Sequence, residues 1–362
     1  MGDLAQILME LTQLVAPSGH EAEVARYIRE RAEESCARVY QDTLGNVIIR
    51  PKEHPGVPRV AIIAHMDEIG FVVRRIEENG FLRVVRLGGI EEKSLPGKEV
   101  LVLGRGGEKI PGAVGLKAHH LAKPEERLAV TQVEEVYIDV GAESREDALG
   151  MGIEVGCPVV FSRTFLRRGP RILANSLDNR GGCAALLALV EEIRSLDPPC
   201  EAYLIASVQE EFSLRGVLPA IRVVEPDLII CLDISPACDT PDLAGYADLG
   251  LGSGPTVNLY SFHGRGTLAG LIPRKAVVEW ATAVAAAEGI PLQRSIFFGG
   301  LTDASFAQLE GRGIPALELG FPVRYPHSPI EACDLRDLEL LVKLVAALLL
   351  RLDREVLSGI QG

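Results

Sequence analysis

The stretch Val60-Ala61-Ile62-Ile63-Ala64-His65-Met66-Asp67 decides how the chain folds around its site. A short run of apolar, partly β-branched residues predicts a buried strand, so the polar residues that end it would lie at the carboxyl edge of a sheet. Open α/β sheets bind their ligands at this edge. We therefore take His65 and Asp67 as the first candidate site residues.

Further candidates have a similar placement, because each follows a predicted strand or stands in a turn beside a predicted helix. They are Asp178, Glu210, Glu211, Asp233 and His327. Taken singly, an aspartate before a helix is commonly a cap, a glutamate pair is commonly solvated, and a histidine is commonly a core or loop residue. Taken together, two imidazoles and several carboxylates suit divalent zinc, cobalt or manganese.

The candidates are numerous enough to hold two ions. A catalytic zinc ion usually has three protein ligands, and the set supplies two triplets if Asp178 is shared between them. The adjacent acids Glu210 and Glu211 would repel each other unless a cation separated their roles. One would bind an ion, and the other would accept a proton from water.

Length and composition limit the classes of protein that the chain can be. Its 362 residues are enough for about two domains, taking roughly 150 residues per domain. It has 47% hydrophobic and 24% charged residues, the composition of a globular protein, and a formal net charge of −13. Because phosphate binding needs a basic surface, we predict neither nucleic acid nor an anionic membrane as a partner.

The sequence also bears on location. The amino terminus lacks the basic and continuous apolar regions of a secretion signal, and the apolar stretch at residues 344–350 is far shorter than the roughly 20 residues of a membrane helix. Seven cysteines form an odd set without a Cys-x-x-Cys pattern, and most lie in apolar segments. We therefore predict reduced core thiols and a cytoplasmic protein.

Hydrophobic periodicity divides the chain into two kinds of structure. Two opening helices, a strand pair between residues 39 and 49, and strand-helix alternation after residue 164 predict a sheet with helices on both faces. Ser18 and Glu21 have the spacing of a capping box for the second helix. Residues 68–163 instead show short alternating runs separated by Gly- and Pro-bearing turns. We predict a catalytic domain of residues 1–67 and 164–362, with a small β domain inserted at 68–163.

Competing motifs are weak. The chain has no His-Glu-x-x-His, Gly-x-Ser-x-Gly or P-loop pattern. The segment at 264–269 (GRGTLA) imitates the start of a dinucleotide-binding fingerprint. It lacks the β-α-β position and the acid at the expected distance that such a site requires.

Five ordered motifs resemble those of a known family. They are residues 64–70 (AHMDEIG), 178–180 (DNR), 208–211 (VQEE), 299–304 (GGLTDA) and 324–329 (RYPHSP). They look like the signatures of the tetrahedral aminopeptidases, which include glutamyl aminopeptidases and chains once labelled endoglucanases. The similarity runs through nearly the whole chain. It implies an α/β fold of the di-metal aminopeptidase type, a three-layer sandwich with an inserted small β-barrel, PDZ-like domain.

The resemblance also implies a role for each candidate residue. His65, Asp178 and Asp233 would bind one ion, Asp178, Glu211 and His327 the other, with Glu210 as general base and Asp67 orienting His65. Arg180 and Asp303 are hypothesised to orient these groups or the substrate. The chain departs from the family pattern at Phe212-Ser213 and at residues 262–266, which concern the substrate pocket more than the chemistry.

The implied activity is removal of amino-terminal residues from short peptides by metal-activated water, with Glu210 passing a proton to the leaving amine. Alternatives are a di-metal deacylase or carboxypeptidase, and a non-catalytic scaffold, against which the intact ligand set argues. An endoglucanase would need two carboxylates flanking a sugar and no metal. The implied cofactors are two divalent ions per subunit, zinc first, with cobalt or manganese as alternatives. The implied assembly is a homododecamer built from dimers, in which the insert serves dimerisation or gating.

Overall fold

The computed structural model describes residues 4–35, 38–263 and 270–362. The α-helices are α1 (Leu4–Gln13), α2 (Ala22–Glu34), α3 (Arg145–Gly150), α4 (Leu177–Ser195), α5 (Glu210–Ser213), α6 (Val217–Val224), α7 (Lys275–Ala287), α8 (Ala304–Ala307), α9 (Leu335–Leu349) and α10 (Arg354–Gln361). The strands are β1 (Arg38–Gln41), β2 (Val47–Arg50), β3 (Arg59–His65), β4 (Gly70–Ile76), β5 (Leu82–Leu87), β6 (Glu99–Leu103), β7 (Lys109–Val114), β8 (Tyr137–Asp139), β9 (Pro158–Phe161), β10 (Phe165–Arg168), β11 (Arg171–Ala174), β12 (Glu201–Ser207), β13 (Leu228–Pro236), β14 (Thr256–Phe262), β15 (Gly270–Leu271), β16 (Gln293–Phe298), β17 (Ala316–Arg324) and β18 (Glu331–Asp334).

One large mixed sheet forms the body of the protein. Its order is β1-β2-β12-β3-β13-β17-β18-β11-β10, and β14 pairs with β17 and carries β15 and β16. The neighbours β12, β3, β13 and β17 run parallel. Because parallel strands end at the same edge, the carboxyl ends of these four strands meet.

Alternate residues of the central strands pack into two separate helix layers. Ile62 and Ile230 are buried in the core that includes α4 and α9. Ile63 is buried in the opposite core, with α6 and α8. Side chains of successive strand residues point to opposite faces, so this alternation produces helix, sheet and helix layers. The predicted three-layer α/β fold is confirmed.

The inserted domain is a closed barrel of antiparallel strands in the order β4-β5-β8-β7-β6-β9. It has its own buried core, which includes Phe71, Val84, Val100, Ile138 and Val159. The alternating runs between Gly and Pro turns therefore form a barrel, and the predicted β-barrel insertion is confirmed. Its strands occupy residues 70–161.

A buried ion-pair network lies where the chain passes between the body and the barrel. Glu68 precedes β4 and Arg163 follows β9, and the Arg163 guanidinium lies 2.6 Å from each oxygen of the Glu68 carboxylate. Arg180 Nη2 and Ser176 Oγ donate to the same carboxylate at 3.1 and 2.6 Å. Burial opposes ionisation of Glu68, but the two guanidinium groups outweigh it and lower its pKa to about 2. The network therefore joins both crossings to the turn that carries Asp178.

The predicted capping box at Ser18 and Glu21 is wrong. No side-chain hydrogen bond caps α2. Ser18 Oγ instead donates to Asp67 Oδ2 at 2.5 Å. Glu21 Oε1 accepts from the backbone N–H of Gly19 and of Gln209, at 2.8 and 3.1 Å. The residue types favour a helix cap. In the folded chain, however, these two side chains form hydrogen bonds with buried polar groups that are distant in sequence.

Two central strands are long. The strands β13 and β17 run to Pro236 and Arg324 and stay paired through these residues. The dinucleotide-like segment at 264–269 and Cys36 lie outside the described residues. Within the described parts of the chain, no helix combines the length and the apolar character needed to cross a membrane.

Candidate metal centre

The four parallel strands bring most candidate side chains to one cleft of about 500 Å³. His65 ends β3, the glutamate pair begins α5 with two residues between it and the end of β12, Asp233 belongs to β13 and the loop after β17 carries the second histidine. Asp178 enters from the start of α4. The candidates that line the cleft are His65, Asp178, Glu210, Glu211, Asp233 and His327.

Asp178 lies between the two histidines. Its Oδ1 is 3.1 Å from His65 Nε2, and its Oδ2 is 3.3 Å from His327 Nε2. The donor atoms of His65, Asp178 and Asp233 lie within 4.8 Å of one another, as do those of Asp178, Glu211 and His327. Each group could hold one ion, and Asp178 belongs to both.

Glu210 lies beside these two groups. Its Oε2 is 3.9 Å from His65 Nε2, and the donor atoms of His65, Glu210 and Glu211 also fall within 4.8 Å of one another. Glu210 is close enough either to bind an ion or to exchange a proton with a water molecule next to one. Substitution of the residue separates these two roles.

The buried carboxylates of the cleft favour a cation. Burial raises the pKa of Glu210 well above its usual range, and the charge of Asp233 adds to this shift although His65 opposes it. Burial also raises the pKa of Asp233 well above its usual range, and that of Glu211 to about 7. Ionised carboxylates crowded in this way need a positive charge that replaces their protons.

The two imidazoles respond to the same negative charge. Glu211 raises the pKa of His327 to about 10, against the effect of burial. Burial lowers the pKa of His65, but Glu210 and Asp178 outweigh it and hold the value well above the usual range. These side chains bind protons strongly, and their carboxylate oxygens and imidazole nitrogens are the ligand atoms that zinc-type ions prefer. The residues present therefore fit divalent metal ions.

Asp67 holds three parts of the site together. Its carboxylate accepts from the backbone N–H of Glu210 at 3.0 Å and of Glu211 at 3.1 Å. Its Oδ1 lies 3.4 Å from His65 Nδ1, and its backbone oxygen lies 3.1 Å from the same atom. Asp67 is thus placed where the predicted orienting role requires, and it also fixes the turn that carries the glutamate pair.

Glu331 is a site residue that the sequence reasoning missed. One of its carboxylate oxygens accepts from the backbone N–H of Asp178 at 2.9 Å, and the other from that of His327 at 3.0 Å. The side chain is only 2% exposed. A single buried carboxylate therefore fixes the spacing of two candidate ligands. The only local signal is an acid at the start of a buried strand.

Left-handed backbone conformations concentrate beside the candidate ligands. Ser176, Gln209, Tyr325 and His327 have φ between 56° and 60°, although none is glycine. Residues with a Cβ rarely adopt this region, and such exceptions concentrate at functional sites. The turns that present the ligands are therefore held by their surroundings rather than by local preference.

The structure places Arg180 and Asp303 in buried networks, and neither lines the cleft. The Arg180 guanidinium is fully buried beside Glu68. Asp303 Oδ2 accepts from Ser207 Oγ at 2.5 Å, and burial raises the pKa of Asp303 to about 6. Direct contact of these two residues with a substrate stays a prediction, and the observed contacts place them in support of neighbouring segments.

The barrel also contributes to the cleft through the loop after β5. A Cβ added to Gly89 would lie 2.9 Å from His327 Nδ1, so only glycine fits there without a shift. The backbone N–H of Glu91 donates to His327 O at 3.2 Å. The insert therefore packs directly on a candidate ligand, which the sequence did not indicate.

The family model described as M42 glutamyl aminopeptidase matches residues 45–344. The chain belongs to this family and is therefore a peptidase, of the hydrolase class. The family and the enzyme class predicted from the sequence are thereby confirmed.

Individual relatives agree with this assignment. SgcX of Escherichia coli (strain K12) is 41% identical over 350 residues, covering 95% of this chain and 92% of SgcX. The structure of aminopeptidase APDkam598 from the archaeon Desulfurococcus kamchatkensis has a TM-score of 0.92 at 35% identity, covering 100% of this chain and 98% of the other. The TET1 peptidase of Pyrococcus horikoshii, which can assemble into a tetrahedron or a large octahedral shell, has a TM-score of 0.83 at 30% identity, covering 97% and 100%.

Proposed function

We propose that the protein is a two-metal aminopeptidase that removes residues from the amino terminus of short peptides. The observation that carries the proposal is the position of Asp178, whose two oxygens face His65 and His327. A carboxylate shared in this way is the arrangement that a pair of divalent ions requires. Membership in an aminopeptidase family supports the choice of substrate end.

The residues divide the work between binding and proton transfer. His65, Asp178 and Asp233 would hold one ion, and Asp178, Glu211 and His327 the other. Such ions polarise a carbonyl group and make a nearby water a better nucleophile at neutral pH. Glu210 accepts a proton from the attacking water and delivers it to the amine that leaves. Asp67 keeps the Glu210 backbone in place during both transfers.

Zinc is the first choice for both ions, with cobalt or manganese as alternatives, because imidazole and carboxylate donors suit all three metals. We expect EDTA or phenanthroline to abolish hydrolysis of aminoacyl amides, and added zinc, cobalt or manganese to restore it. Removal of the ions should also lower the unfolding temperature, since it leaves the carboxylates of the cleft unpaired. Metal analysis confirms that the treated sample is empty. Full activity in such a sample would reject the proposal.

A comparison of substrates separates the proposal from its alternatives. An aminopeptidase cleaves peptides with a free amino terminus and leaves acetylated copies of the same peptides intact. A deacylase would remove the acetyl group, and a carboxypeptidase would shorten the opposite end. A non-catalytic scaffold would leave every peptide unchanged while still binding metal.

We also propose that the protein forms a homododecamer of dimers in the cytoplasm, in which the barrel supplies subunit contacts or gates access. The assembly of the related TET1 peptidase supports this proposal. Among the described residues, the barrel domain lines the cleft only at Gly89, which leaves its other surfaces for subunit contacts. A net charge of −13 opposes self-association, so the contacts must use local apolar or paired surfaces. Buried cysteines that are free of disulfides suit a reducing compartment.

Light scattering tests the assembly. We expect a particle of about twelve times the 39.0 kDa chain mass at micromolar concentration. The matched measurement is a dilution series, because a specific closed particle keeps its mass while weak aggregates do not. A mass of one chain at all concentrations would reject assembly, and a dimer alone would reject the dodecamer.

A further inference from the structure

We propose that the cleft selects peptides whose amino-terminal residue has an uncharged, apolar side chain. This inference rests on the aminopeptidase activity proposed above and names its substrate class. The proposed preference differs from the preference for glutamate that the name of the family, glutamyl aminopeptidase, indicates.

The chemistry of the cleft wall carries the inference. Apart from the candidate ligands and Glu210, the described residues that line the cleft are apolar side chains, glycines, one serine and one histidine. The apolar side chains are Leu214, Ile234, Pro236, Phe297, Leu301 and Pro326. Among these described lining residues there is no lysine or arginine, and every acid belongs to the ligand set or is the proposed base. The described part of the wall, apart from the ligand set and Glu210, therefore offers no fixed charge to a charged substrate side chain.

Phe297 is a built part of this wall. A Cβ added to Gly300 would lie 1.9 Å from Phe297 Cζ, so the aromatic ring occupies the space beside the Gly300 backbone. The strand β16 holds the Phe297 backbone, in register with Ser261 of β14. The next residue, Phe298, is 65% exposed and does not line the cleft. The ring of Phe297 is therefore fixed at the cleft while its neighbour faces away.

Two further apolar residues of the lining are also fixed. Leu214 is 7% exposed and has a left-handed backbone with φ 58° at the end of α5. Ile234 is 3% exposed and follows the candidate ligand Asp233 on β13. These side chains are anchored by the same elements that present the catalytic groups. A substrate side chain next to the reacting carbonyl would therefore meet apolar surface.

Desolvation makes such a wall selective. A carboxylate or an ammonium group that enters the cleft gives up water and gains no counter-ion from the described lining residues outside the ligand set and Glu210, whereas an apolar side chain gains from leaving water. The acids of the cleft are not available for an ion pair with a lysine side chain, because they face the histidines and the proposed ions. A pocket that lacks the matching group discriminates by at least about 10-fold in kcat/KM.

The test is a profile of kcat/KM over aminoacyl p-nitroanilides of leucine, phenylalanine, methionine, glutamate and lysine, with metal-loaded full-length protein. We expect the three apolar substrates to exceed the glutamate and lysine substrates by at least about 10-fold. Phe297→Lys should raise the ratio of glutamate to leucine hydrolysis at least about 10-fold, since it adds a cation to the wall. The matched control is Phe298→Lys, which adds the same charge one residue away on the exposed side and should leave the profile unchanged.

The outcomes separate this inference from the proposed function. A wild-type preference for glutamate or lysine would overturn the inference and leave the aminopeptidase proposal standing. An equal change of profile in both lysine variants would overturn the assignment of the wall to Phe297. Failure to cleave any aminoacyl substrate would reject the aminopeptidase activity itself, and the inference with it. Should Phe297→Lys fail to fold, the wild-type profile decides the question alone.

Discussion

Replacement of Glu210 by glutamine is expected to lower kcat at least about 100-fold, the usual scale for loss of a general base. Glutamine keeps the size of the side chain and its place beside His65, but it cannot accept the proton of the attacking water. The fold and both metal ions should remain. Steady-state kinetics on an aminoacyl p-nitroanilide, together with elemental analysis for metal and circular dichroism, checks all three expectations.

The neighbouring acid supplies the control for this experiment. Glu211→Gln removes the same charge one residue away, and it should reduce the metal content, because Glu211 belongs to the group with Asp178 and His327. If Glu210→Gln lost metal and Glu211→Gln retained it, the roles of the two glutamates would have to be exchanged. This comparison matters because Glu210 also lies within reach of a metal group.

Replacement of Asp178 by alanine is expected to remove both ions and to lower activity below detection. Asp178 belongs both to the group with His65 and Asp233 and to the group with Glu211 and His327, so its loss leaves each of these two groups with two donors. A catalytic ion of the zinc type usually has three protein ligands. Elemental analysis after gel filtration measures the metal content, and an activity assay with excess zinc tests for recovery.

The control for Asp178→Ala is Asp242→Ala. Asp242 is exposed and lies in a loop outside the cleft lining. That variant should keep two ions and full activity. This result would show that the loss of an aspartate elsewhere in the chain does not by itself remove metal or activity. Two ions retained by Asp178→Ala would reject its position as the shared ligand. One ion retained would show that the two groups bind independently.

The strand-end candidates were predictable because their signal is local. An apolar run marks a buried strand, and parallel neighbouring strands end at one edge, so the polar residues that follow such runs converge. This reasoning finds His65, Glu211 and Asp233 without knowledge of their contacts. Asp178 and His327 lie in turns, and for them the resemblance to a family carried more information than the local pattern.

The supporting contacts were not predictable in the same way, because their partners are distant in sequence. Ser18 bonds Asp67, 49 residues away, and Glu21 bonds the backbone of Gln209, 188 residues away. A local pattern favoured a helix cap at the same two residues. Glu331 connects 153 residues back to Asp178. Only the folded chain shows which buried donor lies within reach of each acid.

The extents of several elements also depended on tertiary pairing. The strand β14 pairs with β16 and β17, and β18 pairs with β11 and β17. These segments are strands because they are hydrogen-bonded to neighbouring strands of the sheet. Their own sequences carry little periodicity. Strand preference depends on the surrounding sheet, which is why short strands of this kind escape a sequence pattern.

The crossing at Glu68 and Arg163 has an evolutionary consequence. The chain leaves the body at Glu68 and returns to it at Arg163, and these two residues form an ion pair. The barrel is therefore an inserted domain whose two ends lie next to each other. Insertions with adjacent ends can be exchanged or enlarged with little cost to the host fold. The loop at Gly89 limits this freedom, because its backbone lies against His327. An exchanged or enlarged barrel would therefore have to keep the approach of the Gly89 backbone to His327, while its far side, and with it the subunit contacts, would be free to differ.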